Sequence, residues 1–400
     1  MFRNEADPLQ LDPRQMISQF AHLLQESLFP CLESCLGPLS PQLELLASVV
    51  SLLPLQGMLS GGGSHTGRPR KDRTALAIAF IAKAVFNLST TRQLIDRLEV
   101  DQALRRLCGW ESVSAVPHES KFSRVFEEFA ATQLPQRLHE ALIETTQRQR
   151  LIGHIARDST AIPAREQVPE ERKKAKAEAK KARQEKAAEK KARRKGSHPK
   201  AKASEHGTRI EQQCHEPLAT MLGQLPRQCD YGVKTNSHGH TESWCGYKLH
   251  LDVADGQVPI TAVLTSASVH DSQVAIPLMS LTSKRVDYCY ELMDSAYDAD
   301  TIHAQSRTLN HVPIIAVHPR RGTKKPSQVP KVFPPEPTPE LSPAQQERYK
   351  ERTMSERVNA RLKDEFGARH IRVRGPEKVM AHLMFGVLAL TADQILRLLM

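Results

Sequence analysis

The sequence lacks the marks of several protein classes. Its seven cysteines (Cys31, Cys35, Cys108, Cys214, Cys229, Cys245 and Cys289) are odd in number and irregular in spacing, so they encode no disulfide framework. No secretory signal opens the chain, and a reducing, cytoplasmic compartment is the expectation. No P-loop and no dinucleotide fingerprint occurs, so neither ATP nor NAD is implied. Long uncharged apolar runs are also missing. "TALAIAFIAKAVF" is short and holds Lys83, while "VMAHLMFGVLALTADQILRLLM" carries His382, Asp393 and Arg397. Both are expected to be buried amphipathic helices, with no membrane partner. Cys214, His215, Cys229, His238, His240 and Cys245 form no CxxC pair or regular ligand spacing, so a zinc site is not expected.

What is present starts with charge. The 400 residues are 40% hydrophobic, enough for a sizeable core, and carry a formal net charge of +11. Between Glu171 and Lys202 stand 15 Lys or Arg against 4 Glu, so one appendage carries the whole excess. Such a concentration suits a polyanion, most often nucleic acid, although a solvated charged helix has the same composition. The segment runs from Pro169 to Gly196, the order found at helix ends, and has no large aliphatic residue. As a helix it would reach roughly 40 Å. A second insertion, 318–343, holds eight prolines and is expected to be extended.

Three parts follow along the chain: an N-terminal helical segment and linker (1–70, ending in "SGGGSHTGRPR"), a helical domain (71–135), and a larger α/β domain (145–400). The larger domain is interrupted by the basic helical insertion (165–240) and the proline-rich one (318–346). In the helical domain, "TRQLIDRLEV" follows a cap at Ser89 or Thr90, and "KFSRVFEEFA" begins among Ser120, Lys121, Ser123 and Arg124. Short helices with tight turns fit a helix-turn-helix-like DNA-binding unit, and a plain helical packing domain equally. In the larger domain "LIGHIARDS" predicts a strand ending on Asp158, and "DYCYELMDSAYD" one ending on Asp294. "GYKLHLDVADGQVPITAVLTS" alternates about Asp255-Gly256, a hairpin signal. Helices are predicted over 271–282, 298–309, 347–364 and 377–399, which indicates a mixed α/β sheet.

Asp158 and Asp294 at strand ends, with Glu356 in the middle of a helix, could converge on hard divalent cations, although strand-terminal aspartates often cap turns. The predicted helix from 349 to 367 has Met354, Val358, Leu362 and Phe366 on one side. Tyr349, Arg352, Glu356, Asn359 and Lys363 share the other. Asp271 reads as a helix N-cap, and Asp252 and Asp255 as structural residues near the hairpin turn. Trp244 and Tyr247 read as hairpin anchors, with stacking on an unpaired base as the other possibility.

The spacing Tyr349-x2-Arg352-x3-Glu356-x6-Lys363 resembles the Y-(2)-R-(3)-E-(6)-K signature of bacterial insertion-sequence transposases. These belong to the DDE class of the retroviral-integrase superfamily, with an RNase H-like core. "RDSTAI", "CDYGVK", "GYKLHLDV", "VHDS", "LMDSAYD" and "ERVNARLKDEFG" resemble further blocks of that family in the same order. The resemblance covers about 150–400, and "TRQLIDRLEV…VPHESKFSRVF" is similar to the N-terminal domain of related elements.

The resemblance implies an RNase H-like mixed sheet flanked by helices, with Asp158, Asp294 and Glu356 as a catalytic triad binding two Mg²⁺ or Mn²⁺ ions. Tyr349, Arg352 and Lys363 would contact DNA phosphates. It further implies a nucleoid-associated bacterial enzyme acting on double-stranded DNA, at transposon-end inverted repeats and at target DNA, as a homodimer in the synaptic complex. A metal-dependent nuclease without strand transfer, and an inactive DNA-binding regulator, are the alternatives. The basic helix of 170–195 exceeds what the resemblance requires, and is expected to track phosphates non-specifically.

Overall fold

The computed structural model describes residues 19–59 except 21, 72–171, 208–235, 241–317 and 341–398, together with single positions between 174 and 185. The linker expected at 60–70, the proline-rich residues 318–340 and most of the basic helix lie outside the described residues.

After a π-helical turn at Leu24–Leu28 come helices α1 (Phe29–Leu36), α2 (Pro41–Leu52), α3 (Leu55–Leu59), α4 (Arg73–Val85), α5 (Thr91–Val100), α6 (Gln102–Leu107), α7 (Glu119–Ala131) and α8 (Leu134–Gln147). Thr90 starts α5 with a capping box: its hydroxyl accepts from the Gln93 N–H while the Gln93 side chain accepts from the Thr90 N–H. Strand β1 (Ile152–Pro163) follows, then α9 (Arg209–Gln213), α10 (Leu218–Gly223), β2 (Asp230–Thr235), β3 (Thr241–Ala254) and β4 (Val258–Ser266). The remainder comprises α11 (Ser272–Thr282), β5 (Tyr288–Met293), α12 (Asp300–Thr308), β6 (Val312–Ile315), α13 (Pro343–Tyr349), α14 (Thr353–Asp364) and α15 (Pro376–Arg397).

The strands form one six-stranded mixed sheet. β3 runs antiparallel to β1, β2 and β4, while β5 is parallel to β1 and β6 to β5. With helices on both faces, this is the RNase H-like α/β fold that the family resemblance implies. The β3–β4 hairpin turns where the alternation placed it, with Gly256 at φ 81°. At Gly246 the strands approach so closely that a Cβ would lie 2.2 Å from the Ile162 carbonyl oxygen. Only glycine allows β3 to pass from β2 to β1 at that point.

Two corrections concern the elements that carry the site. Asp158 does not end its strand. β3 goes on pairing with β1 as far as Pro163↔Gly246, so Asp158 stands mid-strand. The single helix expected over 347–364 is broken by a 3₁₀ turn, Lys350–Arg352. The Thr353 hydroxyl donates to the Lys350 carbonyl at 3.0 Å and the Ser355 hydroxyl to the Arg352 carbonyl at 2.8 Å, bonds that favour the tighter winding. Glu356 therefore lies in the first turn of α14, not in the middle of a helix.

The core is continuous from the N-terminal helices to the sheet. α15 lies at its centre, against α4, α7 and α8 on one side and β4 and α14 on the other. It is long and apolar enough to span a membrane, yet 94% of its most apolar window is buried inside the protein. Each fully buried leucine or valine on it, such as Leu383 or Val387, contributes about 1.5–3 kcal/mol. Its buried carboxylate is paired: Asp393 accepts from Arg361 at 2.6 Å and from Arg397 at 2.8 Å. Beneath the sheet, Arg157 is fully buried and donates to both Asp252 carboxylate oxygens at 2.8 and 2.7 Å. The Thr282 hydroxyl of α11 completes that pair at 2.6 Å, fixing α11 to this face.

Candidate active site

Register brings the two aspartates together. In the parallel β1–β5 pair Arg157 lies opposite Met293, so the next residues, Asp158 and Asp294, stand on neighbouring strands. Side chains alternate along a strand, so Asp158 faces away from the Arg157–Asp252 pair. That outer face is covered by α14, whose Met354, Val358 and Leu362 are buried, as their spacing predicts. Asn359 belongs to the stripe read as polar, yet it is 7% exposed: its Nδ2 donates to Asp158 Oδ2 at 3.3 Å.

Glu356 takes a different direction. Its carboxylate accepts from Arg352, one turn earlier, and its side chain is about half exposed. The Arg352 guanidinium also lies 5.8 Å from the centre of the Tyr349 ring. Tyr349 and Arg352 thus stay beside Glu356 despite the 3₁₀ turn between them. Lys363 is half-buried two turns along α14.

Electrostatics separates the acids. Burial pushes the Asp158 carboxyl up to about 6, and the neighbouring Asp294 charge adds to the rise. Asp294 is raised as well, by burial first, although its carboxylate accepts the Ala296 N–H at 2.9 Å. Neither aspartate has a lysine or arginine in ion-pair contact among the described residues. Three cations act on them from farther off. Arg352 and Lys234 each lower both carboxyls, and Lys363 lies within the field of Asp158.

This donor set fits a hard divalent cation. All its ligand atoms are oxygens, and two partly desolvated carboxylates of like charge lack a counter-ion. Asn359 Oδ1, at the other end of the amide that holds Asp158, is buried with no hydrogen-bond partner among the described residues. The buried Tyr297 hydroxyl, within the field of Asp158, Asp271 and Asp294, has none among them either. Among the described residues no three His, Cys, Asp or Glu side chains already converge at ligand distance. The aspartates stand as a pair, and Glu356 is turned to Arg352.

Other acids near the sheet have their own partners. Asp271 precedes α11 but its side chain does not cap it; His270 Nδ1 accepts the Ser272 N–H instead, at 3.3 Å. The Asp271 carboxylate accepts from Lys248 at 3.0 Å, and that charge answers the burial that Asp158 and Asp294 leave unanswered. Asp255 accepts the Gly153 and His154 N–H groups at 2.7 and 2.9 Å, locking the start of β1. Trp244 covers Gly232 across the β2–β3 pair, and its Nε1 donates to the Tyr247 carbonyl at 3.0 Å, an anchoring role. Cys229 and Cys245 lie with sulfurs 3.6 Å apart, while His238 and His240 fall outside the described residues.

Two participants escape residue-by-residue reading. Lys234 lies in "CDYGVK", which gives no clear strand signal; pairing with β3 makes it β2 and brings Lys234 towards the acids. Asn359 is visible on the helical stripe, but nothing local tells its direction.

The chain matches two known families. The family described as "Transposase DDE domain" matches residues 149–392, which take in all six strands and α14. The family described as "Transposase domain (DUF772)" matches residues 34–128, within the N-terminal helices. No curated protein matches the chain.

Proposed function

The chain belongs to the DDE transposase family, and on that premise we propose that it cuts DNA at the inverted repeats ending its own element and joins the freed 3′ ends to target DNA. As a transposase it acts on DNA, and as a DDE-family enzyme it is of the nucleotidyl-transferase type. The observation that carries the finer reading is the register that sets Asp158 beside Asp294 under the helix bearing Glu356.

Asp158, Asp294 and Glu356 would hold Mg²⁺ or Mn²⁺, two ions in the full site. Ions held there would supply Lewis-acid chemistry, activating a water or a 3′-hydroxyl and stabilising the leaving oxygen of an in-line displacement. Asn359 holds the Asp158 carboxylate in place. Arg352 keeps Glu356 turned aside until a DNA phosphate, the better bidentate partner, takes the guanidinium and releases the carboxylate towards the aspartates. Tyr349 packs beside Arg352 and limits its swing. Lys363 and Lys234 flank the acids and hold the phosphodiester backbone. The helical domain at 71–135 supplies end recognition, and joining two ends in one event calls for a homodimer.

A Glu356→Gln variant tests the assignment. Cleavage of an element-end duplex should be lost while end binding stays at the wild-type level; a variant that still cuts refutes it. Supplying a pre-cleaved end tests strand transfer, and cutting without joining would make the enzyme a nuclease.

A further inference from the structure

Two cysteines, 16 positions apart in sequence, meet where the chain returns to the sheet after α10: Cys229 Sγ and Cys245 Sγ lie 3.6 Å apart. Both reach one acceptor, the Glu166 carbonyl, at 3.9 Å from Cys229 and 3.4 Å from Cys245. Glu166 follows the end of β1, and its carboxylate accepts from the Tyr247 hydroxyl and the Gly375 N–H, each at 2.8 Å. The acceptor is therefore held from β3 and from the start of α15.

Strand pairing makes this meeting. Register sets Tyr231 opposite Cys245, so Cys229 stands two residues away from that position and the sulfurs meet diagonally across the pair. β2 lies at one end of the sheet order, and its pairing with β3 begins at Asp230. Cys229 sits just before that ladder, where the backbone is not yet fixed by it. A disulfide would bring the sulfurs to about 2.05 Å, about 1.5 Å closer than they stand. The two thiols also differ in access. Cys245 is partly exposed, whereas Cys229 is 3% exposed. Burial first, and then the neighbouring Cys245, pushes the Cys229 thiol up to about 12, which keeps it inert towards oxidants in solvent.

We propose that Cys229 and Cys245 form a reversible disulfide when the protein meets a hydroperoxide. Cys245 Sγ attacks one peroxide oxygen: the O–O bond breaks, a sulfenic acid forms, and the other oxygen leaves as water. Cys229 Sγ then attacks Cys245 Sγ. The S–S bond forms, the S–O bond breaks, and the hydroxyl leaves as water with the Cys229 proton. Two thiols lose two electrons, and hydrogen peroxide becomes two waters. The second step is intramolecular over 3.6 Å, which offsets the low acidity of Cys229. A dithiol reverses the reaction by exchange. In a reducing compartment, which the irregular cysteine spacing suits, such a bond is transient. While it lasts, it ties the entry of β2 to β3. Lys234 lies farther along that same strand, within the field of Asp158 and Asp294, so the strand being fixed is one that carries a cation to the acids.

Mass spectrometry of the full-length protein tests this in a Cys31→Ser, Cys35→Ser background, which removes the two exposed thiols. After hydrogen peroxide and alkylation of the remaining thiols, the expected product is a peptide pair joined through Cys229 and Cys245, lost again with dithiothreitol. The melting temperature should rise by about 2–4 °C on oxidation and fall back on reduction. In Cys229→Ser the reaction should stop at the Cys245 sulfenic acid, trapped by dimedone, with no rise in melting temperature. In Cys245→Ser, Cys229 should stay a free thiol. Three results overturn the proposal: both thiols still alkylated after peroxide, a disulfide joining other cysteines instead, or one equivalent of zinc held by the reduced pair. Asp158→Asn should form the same disulfide at the wild-type rate, so this site and the transposase reading can fail separately.

Discussion

Asn359 and Asp158 stand 201 positions apart in sequence and meet at 3.3 Å, the amide of α14 donating to the carboxylate of β1. That contact is the hydrogen bond by which α14 grips the proposed catalytic pair. Asn359→Ala should therefore lower strand cleavage by about ten- to hundredfold, the worth of a hydrogen bond to a charged group, with end affinity unchanged. Single-turnover cleavage beside a binding titration checks it. Asn359→Asp should cut more slowly still at low metal, because it sets a third negative charge against Asp158 and Asp294, and should recover partly as Mg²⁺ rises.

Lys234 lies within the field of both aspartates but is exposed on β2. Its role as a phosphate contact predicts a uniform loss. Lys234→Ala should weaken binding to element ends and to unrelated duplex alike, and reduce the salt slope of log K by about one. A loss confined to the element end would instead assign Lys234 to sequence recognition.

The charge of Lys83, which is buried in α4, should appear in the pH dependence of stability. Its folded-state ammonium, at about 8, lies below its ordinary value of 10.5. Between those values the unfolded chain binds more protons than the folded one. Stability contributed by Lys83 therefore rises with pH across that window and is lost as pH falls back to 8. The groups that face it are neutral His382, the permanently charged Arg374 and Lys378 paired with Glu127. All of them remain in a Lys83→Met variant, so they cancel from the comparison. Relative to that variant, the wild type should gain about 2–3 kcal/mol between pH 8 and about 10, read from urea unfolding of both proteins. A constant difference across that range would mean that Lys83 is solvated.

Arg157 predicts a structural failure instead of a catalytic one. It is fully buried against Asp252, with Glu291 3.5 Å away. Arg157→Met would leave both carboxylates buried without their cation, a loss of about 3–5 kcal/mol. Chemical unfolding should show it, together with loss of every activity at once, whereas Asn359→Ala should lower cleavage and leave end binding in place.

Much of this was legible locally. Alternation about Asp255-Gly256 gave the hairpin, and the i, i+4 row of Met354, Val358 and Leu362 gave the buried face of α14. The ends of elements were harder to read. β1 outruns Asp158 because a partner strand continues beside it, and the helix before Thr353 tightens because two hydroxyls bond back to carbonyls. Asp271 shows the same limit. Its position before a helix suggests a cap, but Lys248 on a neighbouring strand takes its carboxylate in place of the local N–H groups.

The sequence by itself determined the class of fold, the β3–β4 hairpin, the buried face of α14 and the membership of the chain in a DDE transposase family, because periodicity, turn residues and motif spacing are local properties. The tertiary structure alone decided which charges meet. Strand register set Asp158 beside Asp294, helix packing turned Asn359 onto Asp158, and the meeting of α4 with α15 enclosed Lys83 without a partner among the described residues. Each of those outcomes depends on residues far apart in the chain, and the energy of a charge depends on what surrounds it in space.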